Sequence, residues 1–597
     1  MDARRLARVF LRAFLGLLAT ASGGFGCGPA PAAGSRMVDA GAGGAPSNPD
    51  ATVVDVGIGP WTAPPDAATP VPLDDVTVYA FSQSGDNQAD PQVLTLAPDM
   101  SIRTFSRWDT YGVSPGDYDF SYVTSAHAVG VKFIGGTTST VLFEDEFPNA
   151  QFPTTTYPDL ATRDATGAVV THPSSPKNYH RGSLANPLYR DYLVRIGELQ
   201  IDGGVDGVFF DELNQDYQGA TYDGNEGFDP CHLADFNAYL LWRFPGADYA
   251  TMFSMTPDNL LKASVPAGDL TNNFNYQKYL AAKGWGQSPF ATGNPLASIW
   301  GQAVGNRPAP GAGTFVDSAE PYRYWRQIAA TLRAYAQQKY GRSIYLTSNG
   351  VWPLVDFQGV GLYEYNNDDD GGAEAEYVPV TSGSTTSAAH LDGTRSLQRP
   401  FLNLKARSAT LAPGAPVVLF IDWPTNFMSY YLHMPTSEQQ DYWRIYAAEA
   451  YATGLFFAFF LADTVGDPTA TQLGLMPFFQ GLTGFYRSHA DLYHRVTSAP
   501  EAAVSVEMSL VSFSFAVGDQ ASPRRRLVHL VNHDYSGGLV EHDGFTVTVP
   551  LPSAPTSVTL ASPDLPADVS LPFTYQGGSA AVVVPSLVAY DVLELAY

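Results

Sequence analysis

Residues 204–216 read GVDGVFFDELNQD. A glycine ends the segment before them, a short apolar run follows, and the carboxylates Asp211 and Glu212 close it. The run 207–211 (GVFFD) shows no polar alternation, which is the pattern of a strand buried on both faces in a parallel sheet. Working outward, the same kind of run recurs at 76–82 (VTVYAFS), 102–107 (IRTFSR), 130–135 (GVKFIG), 344–349 (IYLTSN), 359–364 (GVGLYE), 416–422 (PVVLFID) and 454–461 (GLFFAFFL). Helical patterns at 187–202, 320–340 and 437–452 precede the fourth, fifth and eighth of these runs. Strands alternating with helices predict βα units, and eight of them predict an α/β fold, a (β/α)8 TIM barrel. A doubly wound open sheet is the alternative, but no run is followed by a glycine-rich dinucleotide turn.

Large loop insertions are expected at about 144–186 and 213–318, the second with helices at 232–243 and 273–283. Both follow strand carboxyl ends, where barrel enzymes build their sites. From about 503 the apolar period becomes two, as in 526–532 (RLVHLVN), 545–550 (FTVTVP), 556–560 (TSVTL) and 580–584 (AAVVV). That predicts a C-terminal antiparallel β-sandwich. The expected organisation is a signal segment over 1–27, an Ala/Gly/Pro-rich tether over 28–74, a barrel over 75–502 and a sandwich over 503–597.

The chain has 597 residues, 45% apolar and 13% aromatic, enough to fill a large core and too many for a disordered chain. Acids outnumber bases 59 to 33, giving a net charge of −26, which argues against nucleic acid as a partner. Arg4, Arg5 and Arg8 precede a short apolar run over Ala13 to Thr20, too short to span a bilayer and typical of a secretory signal. Cys27 follows Gly24-Phe25-Gly26, resembling a bacterial lipoprotein signal in which the cysteine carries the lipid. Cleavage near the same place without lipidation is the plainer alternative. An exported protein is expected either way, with membrane contact only through such an anchor. If Cys27 carries the lipid, Cys231 is left as a lone thiol.

In a TIM barrel the residues at strand carboxyl ends face the site. Those positions supply Arg107 and Trp108, Asp211 and Glu212, Asn349, Glu364, Asp422 and Trp423, and, just beyond the last strand, Asp463. Crowded carboxylates raise each other's pKa and cost stability, so an acidic mouth calls for a purpose. Glycoside hydrolysis supplies one, since it needs two carboxyl groups flanking the scissile bond.

The stretch GVDGVFFD resembles the fourth-strand motif of many barrel glycoside hydrolases, G-x-D-G-v-x-x-D, which sets a nucleophile at the strand end. GLYEYN at 361–366 resembles the sixth-strand stretch of dextranase-type hydrolases (glycoside hydrolase family 66) and related barrel families, where a catalytic Glu stands at the position of Glu364. The order of elements from about 75 to 597, sandwich included, fits such enzymes, while the long insertion after the fourth strand departs from them. The resemblance implies a retaining mechanism with Asp211 as nucleophile and Glu364 as acid and then base. Glu212 and Asp422 are the rival acids. Asn349, Arg107, Asp422 and Asp463 would bind sugar hydroxyls, and Trp108, Trp352 and Trp423 would stack on sugar rings. Eight of the nine tryptophans lie between 108 and 443, which points to the barrel rather than the sandwich as the glycan-contacting part.

No cofactor is expected. The acidic stretches 223–229 (DGNEGFD) and 366–370 (NNDDD) suit calcium in composition, but neither has EF-hand spacing. His172, His180 and His232 are read as loop residues without zinc spacing. No GxSxG elbow and no P-loop occurs. The Arg524–Arg526 run is read as a solvated edge opening a sandwich strand. The leading expectation is an exported glycosidase acting on an α-linked poly- or oligosaccharide. The alternatives are a glycan-binding protein on an inactive barrel and an inverting or polygalactosaminidase-like hydrolase.

Overall fold

The computed structural model describes residues 71, 73–82, 96, 98–103, 120–139, 141–149, 152–171, 179–211, 227–244, 249–254, 274–286, 288–304, 323–348, 355–361, 381–382, 390–391, 398–420, 434–462, 470–494, 497–498, 505–506, 511–518 and 524–597. Eight parallel strands form the barrel: β1 Tyr79–Ser82, β2 Met100–Arg103, β3 Lys132–Thr138, β4 Gly207–Asp211, β5 Tyr345–Ser348, β6 Gln358–Gly361, β7 Val417–Phe420 and β8 Phe456–Ala462. Their spatial order follows the chain, with β8 pairing back onto β1. The ring closes between β5 and β6 where Asp356 N–H donates to the Leu346 carbonyl at 2.8 Å and the Thr347 hydroxyl donates to the Phe357 carbonyl at 2.7 Å. All eight expected strands are present; residues 104–107, 362–364 and 421–422, expected to complete the second, sixth and seventh, lie outside the described residues.

Side chains fill the barrel. Phe81 stacks on Phe420 at 4.2 Å, and Phe209 meets both rings edge-on. Gly207 opens β4 because the neighbouring strand comes too close for a side chain, a Cβ there standing 2.4 Å from the Tyr345 carbonyl oxygen.

The amino-terminal rim carries a recurring device. Asp99 donates its N–H to the Val78 carbonyl (2.9 Å) and accepts the Val78 N–H on its carboxylate (3.0 Å). Asp206 does the same with Phe133 (2.8 and 2.7 Å), and Asp356 with Leu346 (2.8 and 2.6 Å). Each acid sits just before an even-numbered strand and ties the start of the odd-numbered strand before it. Each has a basic neighbour as well: Arg487 at 2.8 Å from Asp99, His127 at 2.8 Å from Asp206, Arg333 at 2.9 Å from Asp356. Asp356 also accepts Val71 N–H at 2.6 Å, and Leu73 is buried, so the chain joins the barrel by residue 71 rather than 75.

The outer helices include α1 Ser121–Ala128, α2 Pro187–Asp202, α3 Pro230–Arg243, α4 Tyr276–Ala282, α5 Ala297–Val304, α6 Arg323–Tyr340, α7 Gln398–Leu411, α8 Thr436–Ala452 and α9 Met476–Ser488. Asn186 caps α2 by accepting Leu188 N–H at 3.0 Å, with Pro187 at the first helical position, where its missing N–H costs nothing. Gly204, at φ +95°, ends the helix and turns the chain into β4.

The C-terminal part is a sandwich of β9 Val511–Gly518, β10 Arg525–Asn532, β11 His542–Pro550, β12 Ser557–Ala561, β13 Phe573–Gln576, β14 Ser579–Leu587 and β15 Tyr590–Ala596. One antiparallel sheet runs β9-β10-β15-β12 and the other β11-β14-β13, each with short flanking strands. Val528, Leu530, Leu593 and Leu595 of the first face Val547, Val549, Val582 and Val584 of the second. β10 lies between β9 and β15, so the Arg524–Arg526 run opens an inner strand and not an edge. Arg525 pairs with Asp491 and Glu594.

The sandwich rests on α8 and α9 through a ring-rich junction in which Tyr451 stacks on Tyr486 (3.7 Å) and His529 on Tyr590 (6.0 Å). Asp591 is buried at this junction. Burial, reinforced by the nearby Asp564 and only partly offset by the Ser562 hydroxyl, pushes its carboxyl up to about 7.

Candidate active site at the carboxyl ends of the barrel strands

Because the eight strands are parallel, their carboxyl ends share one rim. Asp211 is the last residue of β4, its backbone in register with Thr138, the last residue of β3. In chain position, Glu212 follows Asp211, Asn349 follows Ser348 of β5, and Asp463 follows Ala462 of β8. Glu364 stands three residues beyond the end of β6, Asp422 two beyond β7, and Arg107 four beyond β2. Glu212, Asn349, Glu364, Asp422, Trp423, Asp463, Arg107, Trp108, Trp352 and Cys27 lie outside the described residues. The topology therefore brings together the strands that lead to the candidate acids, from β4, β6, β7 and β8, on the rim that ends in Asp211.

In the chain the two insertions follow β3 and β4. The first leaves β3 through a hairpin, Val141–Phe143 paired with Tyr179–Arg181. Tyr189 of α2 holds it down, its hydroxyl within 2.9 Å of the Ser139 carbonyl and 3.2 Å of the Val141 carbonyl. Its ring occupies the space a side chain at Gly182 would need. Tyr157 stacks on His180 at 4.2 Å, and His180 Nε2 is 3.5 Å from Glu144. Burial lowers the His180 pKa more than Glu144 raises it. His180 is thus a strand residue, and His232 lies in α3, so neither is in a loop as the sequence suggested. His172 lies outside the described residues.

The second insertion leaves β4 and packs its own aromatic core. Trp300 is fully buried against Phe228, Phe236 and Tyr276. Trp325 and Trp443 are buried as well, so these three tryptophans support packing rather than glycan contact.

Asp229, counted above among possible calcium ligands, is the N-cap of α3. One oxygen accepts Cys231 N–H at 3.0 Å and His232 N–H at 3.2 Å, and the other lies 2.5 Å from His232 Nδ1. Burial pushes its carboxyl up, but the His232 ring, the backbone N–H and Ser183 outweigh that and hold it below the usual range. Ser183 Oγ lies 3.3 Å from the same His232 nitrogen. The trio has the residue types of a nucleophilic triad without its wiring, because serine and aspartate share one ring nitrogen. Sequence reading missed this group, although Asp229-Pro230 before an apolar period is a helix-start signal.

Cys231 is buried in α3, and Cys27 lies outside the described residues. No described helix is long and apolar enough to cross a membrane.

No protein-family model and no curated protein matches the chain. Solved structures do. One is a cycloisomaltooligosaccharide glucanotransferase from Paenibacillus sp. complexed with cycloisomaltoheptaose, 10% identical, covering 86% of this chain and 84% of that one, TM-score 0.47. Another is the maltogenic alpha-amylase AmyB from Thermotoga neapolitana, 10% identical, covering 88% and 99%, TM-score 0.45. A third is a cyclic alpha-maltosyl-(1→6)-maltose hydrolase from Arthrobacter globiformis, 11% identical, covering 87% and 100%, TM-score 0.40.

Proposed function

We propose that this chain is an exported glycoside hydrolase that cleaves an α-linked poly- or oligosaccharide by a retaining two-carboxylate mechanism. The observation that carries the reading is Asp211 as the terminal residue of β4 in a parallel eight-stranded barrel, in the sequence GVDGVFFD. Carboxylates in the first residues after β6, β7 and β8 add to it. Asp211 attacks the anomeric carbon and forms a glycosyl-enzyme. Glu364 protonates the leaving oxygen, then draws the proton from the water that releases the sugar. That needs Asp211 ionised and Glu364 protonated at the start of each cycle. Glu212 and Asp422 are the next candidates for the acid. No cofactor enters these steps. Export, with lipidation at Cys27, completes the proposal.

The test is product release from α-glucans, β-glucans, galactans, arabinans and galactosaminans by the chain from residue 70 onward, so that the Val71 and Leu73 contacts are kept. Wild type is run beside Asp211→Asn and Glu364→Gln. Hydrolysis of an α-glucan lost in both variants is expected, the Glu364 loss being about 10²–10⁴-fold. Undiminished hydrolysis by Asp211→Asn ends the proposal. Cleavage of galactosaminan with inversion at the anomeric carbon moves the polygalactosaminidase-like reading ahead. Gel retardation without cleavage moves the binding-protein reading ahead.

A further inference from the structure

The junction between barrel and sandwich is rich in acids and poor in bases. Helix α8 packs against β9, β10 and β15 of the sandwich. Glu449 of α8 is buried there, and its Oε1 meets Nε2 of His533, the buried residue that follows β10. Nearer the start of α8, Arg444 lies 3.7 Å from Asp441 of its own helix and 3.9 Å from Asp564 of the sandwich. Asp441 also accepts the Leu539 N–H, and Asp564 the Ala589 N–H. Glu438 in the first turn of α8 is buried, as is Asp591 of β15. The surrounding elements add little positive charge. His529 of β10 is held neutral by burial, its pKa pushed down to about 3, with Nδ1 2.7 Å from the Tyr590 hydroxyl. Lys405 of α7 donates to the Thr453 carbonyl at 3.2 Å, and burial lowers its pKa. Within the sandwich His542 lies 3.2 Å from Asp534, and Glu541 accepts the Ser586 hydroxyl. Around α9, His489 reaches Asp568 at 2.9 Å, Arg487 is engaged with Asp99, and Asp491 with Arg525.

We propose that this junction is a pH-sensitive latch with the Glu449–His533 pair as its catch: the sandwich docks firmly on α8 in mildly acidic solution and loosens from it as the solution turns alkaline. The pair balances its charge only while the imidazole holds its proton, and an ordinary imidazole gives that proton up between about pH 5 and 8. A neutral imidazole still donates one N–H, but it no longer offsets the charge of the buried Glu449, and a buried carboxylate is costly when its charge is not offset. Three aspartates push the same way. Burial raises the carboxyls of Asp441, Asp564 and Asp591, with Arg444 offsetting part of the rise in the first two. A docked junction that holds protons more tightly than a separated one is favoured at low pH, and the advantage is lost as pH rises through the raised pKa values. Each proton lost makes the junction one charge more negative, so the histidine and the aspartates weaken docking in the same direction. The latch stands whatever chemistry the barrel mouth performs.

The experiment is hydrogen exchange read by mass spectrometry on the intact chain at about pH 5.5 and about pH 8.5, either side of the imidazole range, with rates corrected for the intrinsic pH dependence of exchange. Segments 441–452 of α8 and 525–533 around β10 report the junction, and β3 with β4 report the barrel. The expected result is a roughly tenfold or greater fall in junction protection at the higher pH, the size of one pKa unit, with barrel protection retained. Glu449→Gln carries no charge at either pH and keeps an acceptor, so its fall is expected to be much smaller. Equal protection of the wild-type junction at both pH values overturns the latch. So does a loss shared equally by β3 and β4, which marks global unfolding, and so does a Glu449→Gln fall as steep as that of wild type. Where Glu449→Gln does not fold, His533→Gln takes its place. It offers no charge at either pH and is expected to show the alkaline level of protection at both, and full protection of its junction at about pH 5.5 overturns the latch.

Discussion

Asp206 and Asp211 open and close the same strand, about 16 Å apart at the rise of an extended chain, and they stand on opposite rims of the barrel. Asp206 at the amino-terminal rim has its partners assigned: the Phe133 N–H, the His127 ring and its own N–H to the Phe133 carbonyl. Asp99 and Asp356 repeat that reciprocal pairing at two further places on the rim. Carboxylates so occupied tie strands together and are not available to a substrate. Asp211 enters the ladder through its backbone, at the rim where the βα loops gather. The comparison separates two purposes that the residue type alone does not. Acids before a strand hold the barrel, and the acid that closes one is the proposed nucleophile.

The widest separation comes from the two ends of the comparison. Asp211→Asn is expected to lower kcat by about 10⁶-fold, the scale seen when a nucleophile is removed, with the melting curve unchanged. Asp356→Ala is expected to do the reverse. It leaves the buried Arg333 without its counter-ion and strands the Leu346 and Val71 N–H groups. Removing one partner of a buried pair costs up to about 5 kcal/mol, so urea unfolding shifts strongly while turnover per folded molecule stays. An Asp211→Asn protein that melts early, or an Asp356→Ala protein that is stable but inactive, breaks the distinction between the rims.

The strands were legible because burial on both faces leaves uninterrupted apolar runs, and GVFFD was read to its last residue. The helix 187–202 was legible because Asn186-Pro187 and Gly203-Gly204 mark its ends. The amino-terminal acids were not read, although Asp99, Asp206 and Asp356 all stand one or two places before a strand. Their role depends on which strand lies alongside, and a single sequence does not display that neighbour. The contact between the insertions was hidden for the same reason, since Thr162 and Asp229 are far apart in the chain and meet only in space, through a 3.2 Å hydrogen bond. Trp300, Trp325 and Trp443 are buried, while Trp108, Trp352 and Trp423, the tryptophans expected to stack on sugar, lie outside the described residues.

Asp591 sharpens the comparison from outside the barrel. It is buried like Asp356, but one of its oxygens has no hydrogen-bond partner. Burial raises the Asp356 carboxyl too, and with less to offset it the Asp591 carboxyl rises from the usual range to about 7. The sign follows from linkage. The folded state holds the proton more tightly than the unfolded state, so the stabilisation is complete below about pH 4 and is lost as pH rises through about 7. Three pKa units correspond to about 4 kcal/mol. Asp591→Asn is expected to flatten the fall in unfolding free energy between pH 4 and 7, measured by urea titration. A slope identical to wild type shows that partners, not burial, set this carboxyl.

The smallest effects test whether geometry or burial sets the worth of the amino-terminal acids. The three reciprocal pairings have nearly the same lengths, but the Asp356 side chain is 0% exposed, Asp99 14% and Asp206 27%. If geometry ruled, alanine at each would cost the same. Burial predicts a graded series instead, because a donor abandoned in a dry site finds no water to replace the carboxylate. Asp99→Ala also abandons the Thr77 N–H and falls between the other two. Asp206→Ala is expected to cost about 1–2 kcal/mol, since water reaches its site and His127, itself 44% exposed, finds other partners. Urea unfolding of the three alanine variants checks the order Asp356, Asp99, Asp206. An Asp206 loss as large as that of Asp356 would make the reciprocal pairing itself the source of stability, and the shared geometry of the rim would then outrank its burial.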